Sequence, residues 1–312
     1  MSVAGAVDIV ALGEAMIEFN QVRADDPRTY LQGFGGDTSN MAIAAARVGA
    51  TTGYITRVGD DAFGRMLRSL WEEEGVATAG VATDPAASTG VYFVTHGPQG
   101  HEFSYLRAGS AASRMAPATL PRDVIRNAKI LHVSGISQAI SASACDAALA
   151  AMDEARAAGV RVSYDTNLRL KLWPLARARA VILASLARCD LCVPSLDDAR
   201  ILFDTDDEDA IVVACHHAGA PVVVLKRGAN GCLVSDGTRR VAMDGHVVAS
   251  LDATGAGDCF DGAFAARIVA GDDAFAAARY ANAAAAVATT GYGAVAPLPR
   301  DAAVRAQLAR AA

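Results

Sequence analysis

The segment Asp252-Ala-Thr-Gly255-Ala256-Gly257-Asp258 concentrates the chemistry of this chain, and the apolar pattern from Cys259 to Ala266 after it reads as a helix. Two glycines flanking an alanine let the backbone pass close to a ligand. A helix that starts there points unpaired N–H groups and the positive end of its dipole at an anion. Asp258 at that start has two readings. It caps the helix, or it stays ionised near neutrality beside the helix end and takes the proton of an attacking hydroxyl. Neither the Gly-x-x-x-x-Gly-Lys phosphate loop nor the Gly-x-Gly-x-x-Gly dinucleotide pattern occurs in the sequence.

The elements that must position this segment follow a regular rhythm. Strand runs at 7–13, 53–58, 130–133, 160–164, 191–193 and 222–225 alternate with helical patterns at 38–48, 62–74, 142–158, 175–186, 196–203 and 208–218. The strands are apolar throughout, which means that both their faces are covered. Repeated units of this kind make an α/β fold of three layers, with a mostly parallel central sheet and right-handed crossovers. Two stretches, at about 14–34 and 89–108, break the rhythm with extended, alternating residues and no helix. The second is a hairpin around Gly97-Pro98-Gln99-Gly100. Together they predict a small β-sheet lid on a single domain, over the crevice at the strand ends where open α/β sheets bind ligands.

Composition narrows the function classes. With 312 residues, 52% of them hydrophobic, the chain can bury a large core. The net charge of −6, with no basic stripe interleaved with aromatics, argues against nucleic acid. Residues 1–13 lack a basic region and are interrupted by Asp8, unlike a signal peptide, and no apolar run reaches membrane-spanning length. A cytoplasmic location and no membrane partner are therefore expected. Cys189 and Cys192 form a Cys-x-x-Cys pair in a strand-like run. Residues three apart on a strand face opposite ways, so they read as buried free thiols rather than a metal site. His216 and His217 close a helix and read as surface residues.

The glycine–aspartate segment also resembles the C-terminal signature of the ribokinase-like (PfkB) carbohydrate kinases. The N-terminal signature is similar too, as Gly35-Gly36-Asp37-Thr-Ser-Asn40, with Arg47-Val-Gly49 and Val58-Gly-Asp-Asp-Ala-Phe-Gly64 after it. The resemblance covers nearly the whole chain. It implies a Rossmann-like domain with a β-sheet lid, ATP and Mg²⁺, an accessory monovalent cation such as K⁺, and phosphorylation of a primary alcohol. It implies Asp258 as base and Gly255, Ala256 and Gly257 as an anion hole. Lys226, Gly228, Ser195, Asn167, Arg169 and Asn282 fall on the nucleotide side, with Lys226 toward phosphate and Asn282 toward adenine. Asp198 stands where a family acid organises magnesium through water, and Ser195 replaces the usual asparagine before it.

Within that family the chain is most similar to 2-keto-3-deoxygluconate kinases, through Gly13-Glu-Ala-Met-Ile-Glu18, Tyr105-Leu-Arg107, Asp165-Thr-Asn167-Leu-Arg169 and Leu172-Trp173. A sugar-acid carboxylate calls for a planar, permanently charged donor, and Arg107 and Arg169 fit that need. Tyr92 and Tyr105 would pack on the carbon chain, and Gly35, Gly36, Asp37 and Asn40 would meet hydroxyls. Ser104 and Leu168 stand where close relatives carry aromatic residues, which leaves fructose open as the acceptor. The apolar lid strands favour a homodimer.

Overall fold

The strand Ile9–Leu12 (β1) is apolar on both faces because it separates two cores. Ile9 and Ala11 enter one, with Met41, Tyr54, Trp71, Phe260 and Phe264, while Val10 and Leu12 enter the other, with Ile125, Leu131, Met152 and Tyr164. The period-2 alternation of a strand makes this division unavoidable once helices cover both sides. The computed structural model describes residues 7–23, 26–97 and 100–311.

After β1 come β2 (Met16–Arg23), β3 (Asp26–Gly35), β4 (Thr52–Gly59), β5 (Val76–Asp84), β6 (Gly90–Gly97) and β7 (Gly100–Leu106). They are followed by β8 (Ile130–Ser134), β9 (Arg161–Asp165), β10 (Leu191–Cys192), β11 (Val222–Lys226), β12 (Cys232–Ser235) and β13 (Arg240–Met243). The helices are α1 (Asp37–Arg47), α2 (Ala62–Glu73), α3 (Arg122–Arg126), α4 (Gly135–Ala139), α5 (Ala142–Ala157) and α6 (Leu175–Leu186). Then follow α7 (Leu196–Phe203), α8 (Glu208–His217), α9 (Ala256–Val269), α10 (Ala274–Ala288) and α11 (Asp301–Ala311).

Nine strands form one sheet in the order β13-β12-β11-β10-β9-β8-β1-β4-β5. Every neighbouring pair from β11 to β5 is parallel, and the two pairs made by β12, with β11 and with β13, are antiparallel at one edge. The expected three-layer α/β architecture is therefore present. Three strands, β5, β12 and β13, have no counterpart in the sequence reading. The run Val76-Ala-Thr-Ala-Gly-Val-Ala-Thr-Asp84 is rich in alanine and glycine and poor in strand formers, so edge pairing with β4 rather than propensity makes it a strand.

The two interruptions form a separate sheet in the order β3-β2-β6-β7. Phe19, Phe93 and Tyr30 stack on one of its faces, and Phe63 of α2 meets Phe19 edge-on at 5.9 Å between ring centres. That contact docks the small sheet on the main body. Pro98 and Gln99 of the expected turn lie outside the described residues, as do residues 1–6 of the opening segment.

All six cysteines are free and buried. The strand argument for Cys189 and Cys192 needs correcting, however. β10 is only two residues long, so Cys189 precedes it, and the thiols of Cys189 and Cys215 both interact with that of Cys192. Among the described residues no group of three or more His, Cys, Asp or Glu is placed to hold a metal. No helix among them is long and apolar enough to cross a membrane.

One packing contact governs the rest. α1 and α9 cross at Gly262, where an added Cβ would lie 2.9 Å from Ala44 Cβ and closer still to the Met41 carbonyl oxygen. Backbone on one side of that contact cannot give way as a flexible side chain would. Gly262→Ala is thus expected to destabilise the fold by about 1–3 kcal/mol, although alanine is the better helix former. Chemical denaturation checks this, and a variant as stable as the parent would show that the two helices separate freely.

Candidate active site

The C-terminal ends of β1, β8, β9, β10 and β11 lie along one edge of the sheet and deliver Glu14, Ser134, Asp165, Ser195 and Lys226 to it. The chain leaves β1 toward β4 on one side, while β8 lies on the other. This is the switch point at which such sheets open a crevice. The first turns of α1 and α9 close on the same place.

Across the Gly262 contact, Asn40 Nδ2 donates to Asp258 Oδ2 at 2.8 Å, joining residues 218 positions apart. Gly36 precedes α1 at φ 126°, and a Cβ there would lie 2.5 Å from the Glu14 carbonyl oxygen. The left-handed backbone and the close approach both demand glycine. Gly35 lies against Tyr92, whose hydroxyl would overlap an added Cβ. Asp37 Oδ2, Asn40 Oδ1, Ser134 Oγ and Thr166 Oγ1 are buried without a well-formed hydrogen bond among the described residues. The Asp37 carboxyl and the Ser134 hydroxyl interact with each other, while Asn40 Oδ1 keeps an acceptor that a donor on a ligand could complete.

Gly255 precedes α9 at φ 74°, and no side chain caps the helix. Asp252 shapes the turn before it, accepting from Thr254 N at 2.9 Å through Oδ1 and from Gly293 N at 2.9 Å through Oδ2. Beyond its chain neighbours and its own helix backbone, the Lys226 ammonium is the one group among the described residues within 4 Å of a Cβ added at Gly257, so the turn is open on that side.

Several nucleotide-side residues are otherwise engaged. Lys226 is ion-paired, with its Nζ 3.1 Å from Asp165 and 3.0 Å from Asp261. Asn282 Nδ2 donates to the Asp244 carbonyl at 2.8 Å and so secures the chain after β13. Ser195 Oγ caps α7 by accepting from Asp198 N at 3.2 Å. Asp198 accepts from Leu168 N at 3.0 Å, while Asn167 is held at φ 30°. Arg169 is exposed and donates to the Leu168 carbonyl at 3.0 Å, whereas the Leu168 side chain is buried in the core. Gly228, at φ 58°, has open space where a Cβ would stand.

On the small sheet Tyr92, Phe103 and Tyr105 share a face, with the rings of Tyr92 and Tyr105 stacked 5.7 Å apart. The Tyr92 hydroxyl donates to Glu18, so the carbon-chain role expected for Tyr92 is left to its ring. The Arg107 guanidinium lies 5.9 Å from the Tyr105 ring centre. Part of its donor set is already engaged, because its Nε donates to Glu14 Oε2 at 2.8 Å and an Nη pairs with the same carboxylate. Glu14 also accepts from the Ser110 hydroxyl. Ser104 is exposed on β7 and contributes no ring.

Comparison with known proteins decides what this crevice belongs to. Residues 7–301 match the model of the pfkB family carbohydrate kinases. A 2-dehydro-3-deoxygluconokinase of Thermoproteus tenax is 37% identical, with 95% of this chain and 93% of that protein covered. A probable fructokinase-4 of Arabidopsis thaliana is 34% identical, with 96% of each chain covered. A crystal structure of fructokinase with bound ATP from Xylella fastidiosa superposes with a TM-score of 0.89 at 26% identity, covering 97% of this chain and 98% of that one. The chain belongs to the pfkB family of carbohydrate kinases.

In this kinase the expectation of an ordinary ionised Asp258 needs correcting. Burial of the carboxyl first, and the charge of Asp37 second, push it up to about 7, against the Asn40 hydrogen bond and the charge of Lys226. The protein packed around the carboxyl outweighs the helix dipole, although the turn at Gly257 stays exposed. Asp37 is itself raised by burial. Glu14, Glu18, Asp165, Asp252 and Asp261 also gather at the crevice, and the sequence reading gives none of them a role of its own. Their signal is a carboxylate within or just after an apolar run, which sequence alone reads equally as a strand end.

A buried carboxyl with a raised pKa has a stability signature. Between about pH 4 and pH 7 the unfolded chain loses this proton while the folded kinase keeps it, so stability falls as pH rises. Above pH 7 the loss is complete, on the order of 3 kcal/mol once the part of the carboxylate still meeting water is discounted. Asp258→Asn is therefore expected to gain stability over the parent at pH 8 and only about a third as much at pH 5. Paired melting curves at the two pH values check this; a variant less stable at pH 8 would mark Asp258 as a helix cap instead.

Proposed function

We propose that this kinase transfers the γ-phosphoryl group of ATP to the terminal hydroxyl of 2-dehydro-3-deoxy-D-gluconate, forming the 6-phosphate. The observation that carries the reading is the joint presentation of Asp258 and an uncapped helix start, with Arg107 and Tyr105 on the small sheet. Asp258 accepts the hydroxyl proton, with Asn40 fixing the direction of its carboxylate. The backbone from Gly255 to Gly257 meets the charge on the transferred phosphoryl.

The residues fit the metal that accompanies ATP. No cluster of carboxylates among the described residues would hold it alone, so phosphate oxygens and water must supply most ligands. Burial raises the Asp198 carboxyl, and a nearby cation would favour its ionised form. Asp198 would hold the magnesium that accompanies the triphosphate, and the ion would supply positive charge there. The small sheet, built from the 14–34 and 89–108 stretches, acts as a lid that limits the access of water. The same reading takes the enzyme to be cytoplasmic and dimeric, with the exposed Leu31 and Leu106 of the small sheet favouring a second copy.

Fructose is the second reading, favoured by the occupation of Arg107 by Glu14 and by the 34% identity to a probable fructokinase. A coupled ADP-release assay separates the two. The keto-deoxy acid is expected to be used at least about tenfold better than fructose, and Arg107→Ala to raise KM for the acid about 10–100-fold while sparing fructose. Equal use of both sugars would transfer the assignment to fructose.

The base has its own test. Because Asp258 must be ionised to accept a proton, kcat/KM is expected to rise with pH through about 7. Asp258→Asn should lower kcat by about 10²–10⁴-fold, and Asp37→Asn should move the rise to lower pH by removing a like charge. Near-normal turnover by the Asp258→Asn variant would remove the base from the mechanism.

A further inference from the structure

Lys226 ends β11 with its side chain in the interior, 11% exposed, where solvation cannot support an ammonium. Its charge is held instead by Asp165 at the end of β9 and by both oxygens of Asp261, at 3.0 and 3.1 Å. Asp261 stands one turn below Asp258 on α9, so the two carboxylates share a helix face. The ammonium also lies 3.5 Å from the position that a Cβ on Gly257 would take, directly behind the open turn.

We propose that Lys226 is a positioning residue for phosphoryl transfer: clamped between Asp165 and Asp261, it ties β9 and β11 to the first turns of α9 and sets the charge behind Asp258. This inference rests on the reading of Asp258 as the base. The surroundings of Asp258 are strongly one-sided. Asp37 and Asn40 face it from α1, Tyr54 from β4, Tyr92 from β6, and Asp165 and Lys226 from β9 and β11; Cys259 and Asp261 adjoin it on α9, and His132 of β8 faces Asp165. Arg107, after β7, acts on Asp37. Among the groups that face Asp258 itself, Lys226 is the cation that favours the ionised base, and Asp37 and Asp165 oppose it. Burial keeps His132 neutral near pH 7, pushed down to about 4, so it adds no positive charge.

Two variants shift this balance in opposite senses. Asp165→Asn removes the carboxylate that stays ionised beside the ammonium, so the rise of kcat/KM should move to lower pH. The paired change K226M/D261N removes the ammonium and leaves Asp165, so the rise should move to higher pH. The ratio of kcat/KM at pH 6 to that at pH 8 is the readout. It should rise about twofold or more in the first variant and fall about twofold or more in the second. Unmoved ratios in folded variants would overturn the proposal and leave a purely structural clamp. A large increase in KM for ATP with unmoved ratios would overturn it in favour of direct phosphate contact. If the paired variant does not fold, D165N still decides, since a ratio that is unchanged or lower overturns the proposal. Retained activity in Asp258→Asn would instead defeat the base reading itself, whatever the Lys226 variants do.

Discussion

The crossing of α1 and α9 at Gly262 is the contact on which the crevice depends. A Cβ at that position would meet the backbone at Met41, so only glycine lets the helices approach as they do. Their approach brings Asn40 to Asp258, and with it the glycine-rich turn before α1 to the glycine-rich turn before α9. Each turn alone is an ordinary helix start. Their juxtaposition places unsatisfied acceptors near Asp37 and an uncapped helix end within one cleft.

That arrangement crowds carboxylates. Asp37, Asp165, Asp258 and Asp261 gather near the ends of β9 and β11, and Lys226 lies among them. Such a cluster is not what stability alone would select, since buried like charges disfavour their ionised forms. The strain is divided unequally. Asp165 is held below the usual range by Lys226 although burial opposes it, whereas burial keeps Asp261 well above that range. Asp258, held by the Asn40 hydrogen bond rather than by an ion pair, falls between them and titrates where a base is useful.

The sequence is most informative where the chemistry is local. Apolar strand runs and glycine turns place the parallel sheet and the helices to within a few residues, because both follow from periodicity and backbone freedom. The small sheet is legible from the alternation within β2, β6 and β7. What escapes is set by tertiary neighbours. β5 is a strand because β4 pairs with it, and Cys189 meets Cys192 because β10 is short. The family resemblance points Lys226 toward phosphate, while its ion-pair partners Asp165 and Asp261, 61 and 35 positions away, leave no trace in the local sequence. The ionisation of Asp258 is hidden for the same reason, since the dipole is local and the burial is not.

The acceptor end shows how the same limit bears on specificity. Both arginines read as carboxylate donors from residue type, because guanidinium geometry suits that ligand. The fold gives them different duties. Arg107 is already paired with the buried Glu14, and this pair joins the two places where the chain crosses between the main body and the small sheet. A carboxylate approaching Arg107 meets a guanidinium whose charge is largely offset, and it can use only the donors that Glu14 leaves. Arg169 is exposed and engages a carbonyl oxygen, so its charge remains available. The two guanidinium groups thus differ in charge left over for a ligand: that of Arg169 is whole, and that of Arg107 is largely offset by Glu14.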